Sequence, residues 1–263
     1  MYNLGGYSTN GGYGGQGYSG SSYSMSSGYS SNSNYSNGLD EIVMTSQEAP
    51  NVRLSSQNYS GYLVKPTKKY FVADNFLNPL RPETQFIGNM GQVKEFVEQT
   101  FSLVTGESFP DNIQLTICSE EQLRKIHLSL NETWNDGIQG FSINKQGKGI
   151  NEIFVKQEHL DKLMLTIGHE IGHVMSFTLN DSRDEEAKAF AFSLAWMKMI
   201  VENNIAGLKS CINPSPARNG LHNVAFDFVE SLINKGRKAI EVFNDLVFGR
   251  LSILNRLEVL AYD

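Results

Sequence analysis

One stretch of the sequence decides the fold: Leu165-Thr166-Ile167-Gly168-His169-Glu170-Ile171-Gly172-His173-Val174. On a helix over residues 161–179, His169 and His173 lie four positions apart, so they project from one face about one turn from each other. The apolar residues gather on the opposite face, where we expect them to pack in the core: Met164, Ile167, Ile171, Val174 and Met175. The two histidines are therefore expected to point away from the core, across a cleft.

Two imidazoles at this spacing can bind one metal ion from the same side, and Glu170 stands beside them without being a ligand. In an H-E-x-x-H pattern on a helix, the two histidines hold zinc and the glutamate is the general base for a zinc-bound water. The residues between the histidines, Ile171 and Gly172, are uncharged, as a helix packed on a core requires. The sequence therefore predicts one Zn²⁺ ion on His169 and His173, with Glu170 as the catalytic residue.

The segment 165–174 resembles the active-site helix of the zincin metallopeptidases. Metzincins continue the motif with Gly and His at offsets that here hold Ser176 and Leu179, so that branch is excluded. Gluzincins take a Glu from the next helix as third ligand, commonly in an E-x-x-A setting, and residues 184–192 provide such a run. The chain is thus most similar to the compact gluzincins, or minigluzincins, and to related peptidases that cleave transcriptional repressors. This resemblance implies a zinc-dependent endopeptidase with a peptide or protein substrate.

Three neighbouring carboxylates are candidates for the third metal ligand that the resemblance implies. In those families small residues follow the ligand by three and seven positions, where the two helices approach closely. Glu186 meets this condition with Ala189 and Ser193. Glu185 is followed by a Lys and a Phe at these offsets, whereas Asp184 is followed by small residues but has a shorter side chain. We expect Glu186 to be the ligand, with Glu185 second and Asp184 third.

Two further features of the site are implied by the resemblance. A histidine, tyrosine or arginine downstream of the motif often stabilises the oxyanion in gluzincins, and His222 is the histidine that this chain has there. A predicted strand at residues 153–155 precedes the motif helix, as in gluzincins. We expect that strand to offer a free edge for an extended substrate.

The segments around the motif predict an α+β fold. Helical spacing over residues 92–104 ends at Gly106, an alternating strand follows at 113–117, and Ser119 is expected to cap the next helix. Two apolar runs flank a glycine turn and predict either a β-hairpin or two neighbouring strands, and helices follow almost to the end of the chain: strands 141–143 and 153–155, helices near 158–178, 184–203, 222–235 and 237–250. We expect a small mixed or antiparallel sheet packed on the H-E-x-x-H helix, with an all-helical C-terminal part.

The N-terminal region has a different composition from the rest of the chain. Residues 1–38 contain no Lys, Arg, Asp or Glu and consist mainly of Gly, Ser, Asn and Tyr, so they cannot bury enough apolar area to fold. Tyrosines recur there every five or six residues, a pattern that favours weak self-association. We therefore expect a disordered tail at 1–60, a zincin-like catalytic domain at 61–205 and a helical C-terminal extension at 206–263.

Charge and hydropathy indicate which partners to expect. The formal net charge is −6 and no basic stripe is present, so no nucleic-acid partner is expected. No long apolar run and no ordinary signal peptide is visible, so we expect a cytoplasmic protein without a membrane partner. The alternative to a peptidase is a non-catalytic interaction or assembly protein, in which the zinc site is structural and the tyrosine-rich tail self-associates.

Overall fold

The computed structural model describes residues 71–215 and 223–255. By compactness the chain divides into two units, Met1–Tyr62 and Leu63–Asp263, and every described residue belongs to the second. The predicted N-terminal tail and His222 lie outside the described residues.

The described part of the chain is an α+β structure, as predicted. Short 3₁₀ helices lie at Ala73–Phe76, Met90–Gln92 and Ile205–Ser210. The remaining elements are, in order: β1 (Phe86–Ile87), α1 (Lys94–Thr105), β2 (Ile113–Cys118), α2 (Glu120–Ser129), β3 (Gly140–Ile143), β4 (Asn151–Lys156), β5 (Glu158–His159), α3 (Leu160–Val174), α4 (Ser182–Asn203), α5 (Val224–Asn234) and α6 (Ala239–Val247).

Local sequence signals set several of these boundaries. Gly106 ends α1 in the left-handed region at φ 79°, which only glycine adopts at little cost. Ser119 starts α2 with a reciprocal capping box, because its side chain accepts from the Gln122 amide while the Gln122 side chain accepts from the Ser119 amide. Asp181 caps α4 by accepting from the amides of Arg183 and Asp184. The predicted end of α1 and start of α2 are confirmed.

The three-stranded sheet has the order β2-β4-β3 and is mixed. Strands β3 and β4 form the predicted antiparallel hairpin with Phe141 opposite Phe154, and β2 runs parallel to β4 with Leu115 opposite Ile153. Strand β4 is therefore paired on both sides, and the predicted free edge at residues 153–155 is wrong. Apolar alternation identifies a strand but does not tell which strands flank it. Of the two edge strands of this sheet, β3 is the one that packs closely on the motif helix.

Helices α3 and α4 pack so closely that α3 tolerates only glycine at two positions. A Cβ added at Gly168 would lie 2.5 Å from the Trp196 ring, and one at Gly172 would lie 2.9 Å from the Ala189 Cα. The Trp196 indole also donates a hydrogen bond to the Met164 carbonyl at 2.9 Å. The motif helix is thus fixed along its length against α4, which follows it in sequence.

We expect Gly168→Ala to lower the free energy of unfolding by about 1–3 kcal/mol, because the added methyl group overlaps the Trp196 ring. Denaturant unfolding of the purified protein measures the change. Gly88→Ala is the matched control, since the nearest atoms to its added Cβ are 3.9 Å away on flexible side chains. A Gly168→Ala protein as stable as the control would contradict the close packing described here.

The C-terminal helices share one hydrophobic core with the motif helix. Phe190 on α4 contacts Phe226 on α5, and Phe192 on α4 contacts Phe243 on α6. Buried residues before and after position 205, where the predicted catalytic domain ends, belong to the same apolar cluster. Among the described residues, no helix has the length and apolar character needed to cross a membrane.

Candidate metal centre

A cavity of about 300 Å³ opens between α3, α4 and the edge strand β3. It is lined by the residues of the H-E-x-x-H motif together with neighbours from the other elements: Phe71, Gly140, Phe141, Ser142, Asn144, His169, Glu170, His173, Thr178, Glu185 and Glu186. The structure therefore brings His169, Glu170, His173, Glu185 and Glu186 to one place. His222 is outside the described residues.

Each of the two motif histidines has a polar partner at its Nδ1 atom. His169 Nδ1 lies 3.2 Å from the Ser193 hydroxyl, and His173 Nδ1 lies 2.8 Å from Glu185 Oε1. Phe71 stacks on the His169 ring with centroids 4.4 Å apart. The Glu185 carboxylate at Nδ1 fixes the tautomer of His173, and the Nδ1 partners of both rings fix their orientation and leave Nε2 as the atom that can bind a metal.

His169 lines the cavity, but it is more deeply covered than a residue facing away from the core was expected to be, with 2 % of its surface exposed. The helix α3 is buried on nearly every side, because α4 and Phe71 cover the face that the helical periodicity left polar. A buried imidazole with a defined orientation is a better metal ligand than a mobile surface one.

Glu186 is the carboxylate that faces both Nε2 atoms. Its Oε2 lies 3.7 Å from His169 Nε2, and its Oε1 lies 3.9 Å from His173 Nε2. One donor atom from each of these three residues lies within 4.8 Å of the others, so this group could hold a metal ion. The offsets that favoured Glu186 are explained by the structure, because Ala189 meets Gly172 and Ser193 meets His169.

The other two candidate carboxylates have partners elsewhere. Glu185 accepts from the Leu179 amide at 2.8 Å, in addition to its contact with His173 Nδ1. Asp184 accepts from the Ser252 hydroxyl at 2.8 Å and from the Ile253 amide at 2.7 Å, so it ties α4 to the chain after α6. In this geometry Glu185 orients a histidine and Asp184 holds the C-terminal part.

Glu170 lies in the same cavity and is 6 % exposed. The Ser142 hydroxyl of β3 donates to Glu170 Oε2 at 2.9 Å. This bond fixes the carboxylate beside the edge strand. Sequence reasoning missed Ser142, because nothing in a short strand signals which residue faces a distant helix. It also missed Phe71, which lies just before the 3₁₀ turn Ala73–Phe76 and almost one hundred positions before His169.

The charges of the site shift the pKa of its titratable groups in opposite directions. Burial lowers the pKa of His173, but the hydrogen bond with Glu185 and the nearby charges of Glu170 and Glu186 outweigh it and raise the pKa above its ordinary value. Burial raises the pKa of Glu185, but the bond to His173 and the charge of Lys188 outweigh it and lower the pKa. Burial also raises the pKa of Glu186, but the His169 ring 3.7 Å away and the nearby His173 outweigh it and lower the pKa. The metal-free cluster therefore favours a protonated His173 between ionised carboxylates.

These shifts predict how the stability of the metal-free protein depends on pH. The raised pKa of His173 gives a stabilisation that is complete below the ordinary value of 6.5 and disappears as pH rises through the folded-state pKa. The lowered pKa values of Glu185 and Glu186 give a stabilisation that is present above 4.5 and disappears as pH falls through their folded-state pKa values. The cluster should stabilise the protein most between these two values.

Chemical denaturation of the metal-free wild type and of the metal-free His173→Gln variant, each as a function of pH, measures this dependence. We expect the difference in the free energy of unfolding between the wild type and His173→Gln to decrease as pH rises above 6.5. An NMR titration of the His173 ring provides the control, because Glu185→Gln should lower its pKa. An advantage that stays constant or grows with rising pH would contradict the assignment.

No family model matches this chain, and searches among curated proteins and among solved structures also give no match.

Proposed function

We propose that this protein is a zinc-dependent endopeptidase of gluzincin type, in which His169, His173 and Glu186 bind one Zn²⁺ ion and Glu170 is the general base. The observation that carries the proposal is the position of the Glu186 carboxylate, 3.7 and 3.9 Å from the two Nε2 atoms. Tetrahedral zinc with ligand bonds of about 2.1 Å separates its ligand atoms by about 3.4 Å. Small side-chain adjustments would bring the three residues to that spacing.

Three protein ligands beside a cavity favour a catalytic site over a structural one. Structural zinc sites are usually closed by four protein ligands, whereas catalytic sites have three and leave a position for water or substrate. Among the described residues the candidate group contains two histidines and one glutamate, the donor set of gluzincins. The cavity that Glu170 shares with this group provides room for a substrate.

The proposed hydrolysis of a peptide bond assigns different parts to the zinc ion, Glu170 and Ser142. Bound zinc would lower the pKa of a water towards about 7 and polarise the substrate carbonyl. Ser142 holds Oε2 of Glu170, so we assign Oε1 to accept the proton of the attacking water. Glu170 then gives that proton to the leaving amine, so one carboxylate serves as base and acid in turn.

The edge strand β3 supports a peptide as the substrate. Its residues Gly140, Phe141 and Ser142 line the cavity, and the strand pairs with β4 on one side. An extended peptide adding to the other side would form main-chain hydrogen bonds along β3. The carbonyl groups of the bound peptide would then pass close to Glu170, because the Ser142 hydrogen bond holds the Glu170 carboxylate beside β3. We therefore expect unfolded segments to be cleaved in preference to folded domains.

Removal and return of the metal test the proposal. The full-length protein, purified without chelator, is expected to contain one zinc ion per chain by elemental analysis and to cleave an unfolded protein such as reduced casein. Chelation should abolish cleavage and zinc should restore it, while magnesium should not, because the donor set contains two imidazoles. A purified protein that contains no metal and also fails to bind added zinc would contradict the proposal. Zinc binding without cleavage of any unfolded protein would favour the non-catalytic alternative.

A further inference from the structure

Lys188 is a fully buried lysine on α4, next to the candidate metal centre. Its side chain is 0 % exposed, which is rare for a residue that carries a charge. The ammonium group lies 2.9 Å from Glu185 Oε2. Glu185 in turn accepts from His173 Nδ1 through its other oxygen. Lysine, carboxylate and imidazole thus form a buried chain of three groups that ends at a metal-binding residue.

The same ammonium group also satisfies the C-terminal end of the motif helix. It donates to the carbonyls of His173 and Phe177 at 3.2 and 3.3 Å, and to the Ser176 hydroxyl at 3.2 Å. A cation at this end of a helix is favoured by the helix dipole. Apart from its contact with Glu185, the polar contacts described for Lys188 are with the end of the motif helix and the residues just after it.

We propose that Lys188 is a positioning residue that sets the metal affinity of the site by holding the Glu185 carboxylate on His173. This inference rests on the metal site proposed above, though not on peptidase activity. Glu185 can accept from Nδ1 only while its charge is compensated, because an unpaired carboxylate in a buried site is costly. Lys188 provides that compensation, since its ammonium group lies 2.9 Å from Glu185 Oε2.

The test measures the zinc dissociation constant by competition with a chromophoric chelator, for full-length wild type and Lys188→Met. Methionine keeps the length of the side chain and removes its charge and its donors. We expect binding to weaken about 10–100-fold, the range found when a group that orients a ligand is lost. Lys198→Met is the control, because Lys198 lies on the same helix with an exposed ammonium group. Its affinity should equal that of the wild type.

A double-mutant cycle with Glu185→Gln separates positioning from general support of the fold. If Lys188 acts through Glu185, Lys188→Met should change the affinity by less than about threefold on the Glu185→Gln background. An equal loss on both backgrounds would overturn the proposal, as would unchanged affinity in Lys188→Met with a lowered unfolding temperature. If Lys188→Met does not fold, Lys188→Gln replaces it in the same cycle, since the amide removes the positive charge and keeps a hydrogen-bond donor. A wild-type protein that binds no zinc would instead refute the metal site itself.

Discussion

Replacing Glu170 with Gln is expected to lower kcat by about 10²–10⁴-fold, the contribution of a positioned general acid and base. The amide is nearly the same size as the carboxylate and can still accept the Ser142 hydrogen bond at 2.9 Å. It cannot take the proton of the attacking water. Because Glu170 is not one of the residues that face the two Nε2 atoms, the variant should bind as much zinc as the wild type.

The measurement combines a steady-state cleavage assay with elemental analysis of the same sample. Glu202→Gln, on the exposed surface of α4, is the control for the loss of one carboxylate, and its kcat should be unchanged. Ser142→Ala should give a smaller loss than Glu170→Gln, since it frees the base without removing it. Equal cleavage by Glu170→Gln and wild type, both with zinc bound, would show that another residue activates the water.

The sequence predicts this site well where the signal is local. His169, Glu170 and His173 follow from the spacing of a single helix, and the resemblance to gluzincins, with small residues at two offsets and a longer side chain than Asp184, favours Glu186 on the next one. Both kinds of signal depend on helical periodicity, which is the same in the sequence and in the structure.

Contacts between distant segments were not predictable in this way. Ser142 lies 28 positions before Glu170, and Phe71 lies almost one hundred before His169, so no periodic pattern connects them. The position of β4 in the centre of the sheet also depends on β2, which is separated from it in the chain by the helix α2 and the strand β3. These contacts are set by packing of the whole core rather than by any one segment. The burial of Lys188 is also a property of the packed structure, because a lysine two and three positions after two glutamates is typical of a solvated helix surface.

Replacing each of the three acidic residues at the start of α4 by Ala is expected to give three different results. Glu186→Ala should reduce zinc affinity by more than about 100-fold, which exceeds the loss typical of a group that only orients a ligand. Glu185→Ala should fall within that smaller range, because it releases His173 Nδ1 without removing a ligand. Asp184→Ala should retain zinc and instead lower the free energy of unfolding by about 1–3 kcal/mol, since it leaves the Ile253 amide without its acceptor.

The three different results distinguish the roles of the neighbouring carboxylates. Equilibrium zinc titration measures the zinc affinity of each variant, and denaturant unfolding measures its stability. The physical basis is the direction of each side chain on one turn of helix. Glu186 faces the Nε2 side of the histidines, Glu185 faces the Nδ1 side of His173, and Asp184 faces the segment after α6. Successive residues on a helix point about 100° apart, so adjacent glutamates cannot exchange roles without rotating α4. That rotation is blocked where Ala189 meets Gly172. A larger loss of zinc in Glu185→Ala than in Glu186→Ala would therefore require a different packing of the two helices.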